Sequence, residues 1–391
     1  MSQRQALLPF AGLSASYFAH IGFFNPYLPL WLKDMGFGLF AISVLTSVQS
    51  ATRLFAPYAW GWLSDHTGER VKLMRYSATA ALLLSLGLWV EWGFAGLLVL
   101  LLLLFTHTSS MMPMSEAAMA HLVSQSGGFD ARRYGRVRLW GSVGFLVTVL
   151  LAGVWFERYG MGSFPAWAFV TLAAVTASVW WMPDQKEAVA ADAERPALMP
   201  VLRQPVVRWF FATLFFHVLS HIFVYVFLSL YLDSLGFSKV VIGVLWAVSV
   251  LFEVGWFFTQ GRWLPRLSLS HWLLLAAALT ALRMGLMAFW PVFLVLLFAQ
   301  VLHAVTFAAH HTSCIALLSH HFPGRLRGRG QALYAVAGYG FPGVIGGLGG
   351  GWISARWGLD AVYVAGTCTA LLATACAFRV VRLERRGGAA G

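Results

Sequence analysis

Five charged side chains stand in stretches otherwise apolar enough to be buried: Arg53, Glu116, Arg138, Glu253 and Arg283. A charge inside a bilayer costs at least about 2.5–3.5 kcal/mol on insertion scales, so such groups face a partner, a cavity or a ligand. Three arginines against two glutamates leave a net +1. A small anion such as a carboxylate offsets that excess, and the guanidinium fork suits bidentate pairing with it. A carboxyl in an apolar cavity holds its proton and releases it when an arginine or anion approaches. That is the minimum chemistry of proton-coupled transport. The competing use of the same residues is mutual ion pairing that only fixes helix packing.

Eight histidines lie in or near apolar stretches: His20, His107, His121, His217, His221, His303, His310 and His311. A lone helix histidine is commonly a hydrogen-bonded packing residue. His303 and His310 are seven apart and share a helix face, with Gln300 one turn away and His311 about 80° round. This cluster reads as a relay or a substrate contact. His217 and His221 are one turn apart, as metal ligands are, but no adjacent carboxylate or cysteine completes a site. A histidine-box metalloenzyme, using those two with His310-His311 and His320-His321, is the rival from a different class. Its first two groups fall in mid-span, whereas hydroxylase boxes lie at helix ends.

The elements that position these residues follow from composition. Of 391 residues 59% are hydrophobic and 11% charged, against about 45–50% and 25% in soluble domains. The apolar runs are continuous rather than alternating, so the spans are helices and not barrel strands. At about 20 residues per span, the chain accommodates about twelve. They fall near 7–32, 39–63, 73–91, 94–122, 134–158, 163–182, 206–232, 239–261, 268–288, 291–318, 329–355 and 358–380. The first is read as a retained helix, not a removed signal peptide. The polar stretch 184–204 separates a six-helix half, 1–183, from a second, 205–391. Cys314, Cys368 and Cys376 lie in apolar segments and are expected to be free thiols. The glycines from Gly338 to Gly351 lack the ending of a phosphate loop; Gly343, Gly347 and Gly351 recur every fourth residue, which suits close helix packing. Tryptophans near span ends, among them Trp31, Trp89, Trp180 and Trp290, read as interfacial belts.

With the N-terminus cytoplasmic, 21 of the 27 basic residues fall on the cytoplasmic side, four outside, and Arg53 and Arg283 within spans. Basic residues gather on the inner face of membrane proteins. The formal +12 therefore records orientation, with both termini cytoplasmic in a bacterial-type inner membrane, and nucleic acid is not an expected partner. A monomer with no cofactor, driven by the proton gradient, is expected. A shift of 200 residues lays Gly36-Phe37 on Gly236-Phe237, Ile42 on Ile242 and Val44-Leu45 on Val244-Leu245. It also lays Arg53 on Glu253. Two repeats in one orientation are the mark of a transporter that binds its substrate near the midplane.

The segment Gly61-Trp62-Leu63-Ser64-Asp65-His66-Thr67-Gly68-Glu69-Arg70 resembles the G-x-L-[S/A]-D-x-x-G-x-[R/K] signature of the major facilitator superfamily. The resemblance implies an all-α membrane fold of two pseudo-symmetric six-helix halves. It also implies a latch at Gly61, Asp65, Gly68 and Arg70; a plain helix–turn–helix connection is the simpler reading of the same residues. Tyr134 to Gly141 is similar to the G-R-x-R-x-aromatic-G segment of lactose-permease-like proton symporters. There the second arginine pairs with a fourth-helix glutamate at the substrate, which implies Arg138 and Glu116 here. The same group implies Glu253, Arg283 and His303 or His311 from helices eight to ten. Tyr134–Ser142, Arg283-Met284-Gly285 and Leu302-His303 resemble a phenylpropionate permease branch. Arg53, Glu116, Arg138, Arg283, Asn25 and His303 are expected to bind substrate, and Glu253, Glu116, His303 and His311 to handle protons. The implied activity is uptake of a small organic acid with protons. A sugar or nucleoside symporter and a drug efflux antiporter are the alternatives, although the proline-containing fifth-helix motif of many antiporters is missing.

Overall fold

The computed structural model describes residues 3–124, 131–183, 198–323 and 326–388. Among the described residues no strand occurs, and twelve helices are long and apolar enough to cross a membrane. They are α1 Leu7–Asp34, α2 Leu39–Ser64, α3 Arg70–Trp89, α4 Phe94–Glu116, α5 Val137–Tyr159 and α6 Met161–Trp180. After the segment 184–197, which lies outside the described residues, come α7 Pro205–Ser234, α8 Lys239–Arg266 and α9 Leu269–Phe289. The chain closes with α10 Phe293–His321, α11 Arg329–Trp357 and α12 Leu359–Arg386. A helix satisfies its own backbone polar groups, which is why continuous apolar sequence adopts it in lipid.

Several spans are interrupted, and two of the interruptions follow from proline. In α2 the helix stops at Thr52 and restarts at Ala56. Pro57 lacks an N–H for the carbonyl of Arg53 and its ring clashes there. Likewise α4 breaks at Ser109 and Ser110, the former being four residues before Pro113. Arg53 and Glu116 thus sit at or just beyond breaks. In α10 the stretch Ala304–Ala309 winds as π-helix, and in α11 Val336–Gly340 does the same. Such widened turns are frequent at functional sites.

The repeat is visible in the backbone. Gly36 and Gly236 both take positive φ, +87° and +82°, a conformation glycine adopts without steric cost. On either side the Met35 N–H donates to Trp31 O (3.0 Å) and the Leu235 N–H to Tyr231 O (3.1 Å). Helices end at Asp34 and Ser234 and restart at Leu39 and Lys239.

The chain divides into two compact units, of residues 1–37, 51–192 and 236–247, and of 38–50, 193–235 and 248–391. The first turns of α2 and of α8 are therefore exchanged relative to the sequence halves. In the first unit the Tyr27 hydroxyl lies 3.1 Å from the carbonyls of Val149 and Lys239, where Gly153 and Gly243 leave room for it. In the second, a Cβ added at Gly343, Gly347 or Gly351 would collide with Ser50, Ser47 or Ser43 of α2. The four-residue glycine period is a packing face. Trp31 departs from the interfacial reading. It is buried and stacks on Phe164 at 4.9 Å and 13°, because α1 ends against the start of α6.

Candidate functional site

Each unit holds its own cluster of the singled-out residues. In the first, Arg138 Nε lies 3.4 Å from Glu116 Oε1, with the two side chains 41% and 38% exposed. An ion pair that open contributes at most about 1 kcal/mol to stability, so folding alone gives little reason to keep it. The Arg138 guanidinium also lies 4.3 Å over the Phe18 ring, a cation–π contact. Gly141 permits this, since a Cβ there would come within 2.7 Å of Phe18 and 3.1 Å of Arg138 Nη1. One turn after Arg138, that glycine has a steric reason to close the Tyr134–Gly141 segment. Tyr17 donates to the Thr108 carbonyl at 3.3 Å, and the charges of Arg53, Glu116 and Arg138 all reach its phenol. Arg53 is exposed at the α2 break.

In the second unit Arg283, on α9, is fully buried. Its Nη1 donates to His303 Nδ1 (3.2 Å) and Thr306 Oγ1 (3.3 Å), and its Nη2 to Gln300 Oε1 (2.9 Å). All three acceptors come from α10 and none carries a negative charge. The Arg283 Nε has no hydrogen-bond partner among the described residues. His303 Nε2 faces Glu253 Oε2 of α8 at 3.5 Å. A guanidinium only donates, so His303 Nδ1 accepts and its single proton sits on Nε2, directed at the carboxylate. The cation and carboxylate are thus joined through one neutral imidazole. Leaving a buried charge without a counter-ion is costly, and this arrangement gives Arg283 its carboxylate only at second hand.

His303, Gln300 and Thr306 meet at Arg283, and Glu253 joins them through His303. His311 sits apart from that chain; its Nδ1 lies 2.9 Å from the Tyr334 hydroxyl. The rings of His303, Phe307 and His311 form a stacked column, at 5.0 Å and 4°, then 5.9 Å and 10°. The π-helical turn explains this, because four residues come closer to one full turn there than in an α-helix. Asn25 is half-buried on α1 and has a partner of its own. His20 behaves as packing, 2.9 Å from Thr171 Oγ1 among Phe23 and Phe24.

At the α2–α3 turn, Gly68 takes φ +67° and caps the helix by donating to Ser64 O (2.9 Å). Arg70 Nε donates to Ser64 Oγ at 3.1 Å. The Asp65 side chain lies outside the described residues, and Gly61 faces open space. Tyr17, Phe18 and Thr306 carry no signal in the sequence, where His217 and His221 stand as packing histidines or as an incomplete pair of metal ligands. His217 instead stacks face to face on His310 at 3.6 Å. Among the described residues no group of three or more His, Cys, Asp or Glu is placed to hold a metal ion. Cys314, Cys368 and Cys376 are free.

Comparison with known proteins sets these clusters in a family. The chain is 24% identical over 309 residues to the probable 3-phenylpropionic acid transporter of Escherichia coli (strain K12), covering 78% of this chain and 80% of that one. To the maltose permease of Geobacillus stearothermophilus it is 25% identical over 354 residues, 89% of this chain and 87% of that one. The crystal structure of the nucleoside transporter NupG superposes with a TM-score of 0.78 at 14% identity, covering 98% of this chain and 99% of that one; this is a likeness of fold. The model of the MFS_1 like family matches residues 12–365. The chain belongs to that family, as a multi-pass membrane transporter of the major facilitator superfamily.

Proposed function

We propose that this protein imports a small organic anion, an aromatic carboxylate such as 3-phenylpropionate, together with protons and by alternating access. The observation that carries this reading is Arg283: fully buried, bonded to three neutral acceptors and, among the described residues, linked to Glu253 through His303. The compartment around it accepts one negative charge. That charge is supplied either by ionised Glu253 or, once Glu253 is protonated, by the carboxylate of a substrate. The proton and the anion are then taken up together, because each is costly there without the other. The Arg138 guanidinium on Phe18 beside Glu116 offers a second cation next to an aromatic face, which suits an acid with an aromatic body. Both termini are taken as cytoplasmic and the membrane as a bacterial-type inner membrane, from the placement of basic residues.

The maltose permease relative favours a neutral sugar as the second reading, and the two separate in one assay. Each of 3-phenylpropionate, maltose and a nucleoside is added to lightly buffered suspensions of cells making the protein. Alkalinisation of the medium by the aromatic acid alone is the expected result. Alkalinisation by maltose or the nucleoside alone would replace the substrate class.

A further inference from the structure

The Arg283 cluster employs His303 but leaves two deeper imidazoles without a task. His217 and His221, one turn apart on α7, are 1% and 3% exposed. Their protonation follows from their partners. His217 Nε2 lies 2.7 Å from the Thr306 carbonyl, and His221 Nδ1 lies 3.1 Å from the carbonyl of His217. A carbonyl only accepts, so each neutral ring commits its one N–H there. The remaining nitrogens, His217 Nδ1 and His221 Nε2, carry bare lone pairs. Both are buried without a hydrogen-bond partner among the described residues, and buried nitrogens left so call for an explanation. The two rings line a cavity of about 10 Å³ with Tyr225, Phe307, His310 and Tyr339, room for roughly one water molecule.

We propose that His217 and His221 form a proton-binding site, separate from Glu253, that takes up a single proton when an anion occupies Arg283. It rests on the proton-coupled reading above and deepens it. One proton is the capacity because the rings are crowded. His217 and His221 lie 4.6 Å apart at 28°, with His310 stacked on the other face of His217 at 3.6 Å and 9°. Two imidazolium ions at that spacing would be like charges in contact. A proton at either bare nitrogen makes it a donor, for which a water in the cavity is the acceptor.

The groups facing the pair are Tyr225 on α7, Arg283 on α9, His303 and His310 on α10 and Tyr339 on α11; one contact further lie His311 and Cys314 beside His310, Tyr334 beside Tyr339, and Tyr363 within electrostatic reach of Arg283. Glu253 of α8 stands beyond His303. An imidazolium and the Arg283 guanidinium are like charges in one apolar compartment, and Glu253 is held off beyond His303, so an anion on Arg283 itself lessens the opposition to the proton. By linkage, the proton then strengthens anion binding by the same factor. A metal ion fits worse, because rings stacked face to face do not converge their lone pairs on one point.

Conservative variants separate the proton from the structure. His217→Gln keeps an N–H near the Nε2 place and His221→Asn keeps one near Nδ1, and neither side chain titrates. Proton uptake on adding 3-phenylpropionate to the purified full-length protein is measured in weak buffer. The double variant is expected to take up one proton fewer per bound anion than the unaltered protein, and Glu253→Gln to lose a different one. Equal uptake in the double variant and the unaltered protein overturns the site while leaving the proton-coupled reading in place. No uptake by the unaltered protein overturns that reading instead. Histidine-¹⁵N spectra of Arg283→Gln protein give a test without any anion or histidine substitution. One ring of the pair is expected to become imidazolium within roughly pH 5–8, where histidine switches. Two neutral rings throughout that range overturn the site.

Discussion

Arg283 can be exchanged for lysine without changing charge, and the geometry says what is lost. Three acceptors, His303 Nδ1, Thr306 Oγ1 and Gln300 Oε1, surround a planar fork that a point-charge ammonium on a shorter reach does not match. Each buried acceptor left unpaired costs about 1–3 kcal/mol. Arg283→Lys is therefore expected to lower the initial rate of 3-phenylpropionate uptake at least about tenfold, normalised to protein in the membrane. A rate within about twofold of the unaltered protein would remove Arg283 from the substrate site. At this scale the sequence exposes charges and hides neutral partners. Arg283, Glu253 and His303 are legible because a charge in an apolar run is conspicuous, and a histidine in such a run nearly so. Thr306, Phe18 and Tyr17 look like any other residue of a membrane helix, and only their neighbours give them a role. His217 and His221 are visible as a pair, but their bare nitrogens appear only once the Thr306 and His217 carbonyls are placed.

Prolines set where the helices of the first unit give way, and with them the place of two candidate site residues. Pro57 opens α2 at Arg53, and Pro113 opens α4 just before Glu116. A proline in a helix interior costs about 3 kcal/mol, so Pro57→Ala is expected to close the gap and raise the melting temperature. Uptake should fall at the same time, because Arg53 is then wound into a continuous helix. A variant as active as the unaltered protein would show that the break serves no function. The prolines are legible in the sequence, although a span drawn only from hydropathy runs through them. The π-helical turns of α10 and α11 have no such signal. They bring His303, Phe307 and His311 into one column where an ideal helix sets His311 about 80° away from His303. The serine–glycine contacts of α2 and α11 were half legible: the glycine period announces a packing face, and nothing in one dimension names Ser43, Ser47 and Ser50 as what meets it.

Across the whole chain, the repeat and the twelve spans were legible because both rest on local chemistry, glycine turns and apolar length. The division into compact units was not, since the exchange of residues 38–50 and 236–247 depends on contacts far apart in sequence. Orientation is a property of the whole molecule, read from where the basic residues fall. In a background with Cys314, Cys368 and Cys376 changed to Ser, Gly160→Cys is expected to react with a membrane-impermeant maleimide added to intact cells, and Arg266→Cys only after lysis. The reverse pattern would invert the topology. The central claim is that one negative charge at Arg283 is shared between Glu253 and a substrate anion, so that the proton gradient drives uptake. Its most direct test is accumulation of labelled 3-phenylpropionate in proteoliposomes with an alkaline interior, comparing the unaltered protein with Glu253→Gln. The account predicts uphill accumulation that a protonophore collapses. In Glu253→Gln, exchange of internal for external substrate should persist while gradient-driven accumulation falls, because one of the coupled protons is lost. Equal, gradient-driven accumulation by both proteins would contradict it.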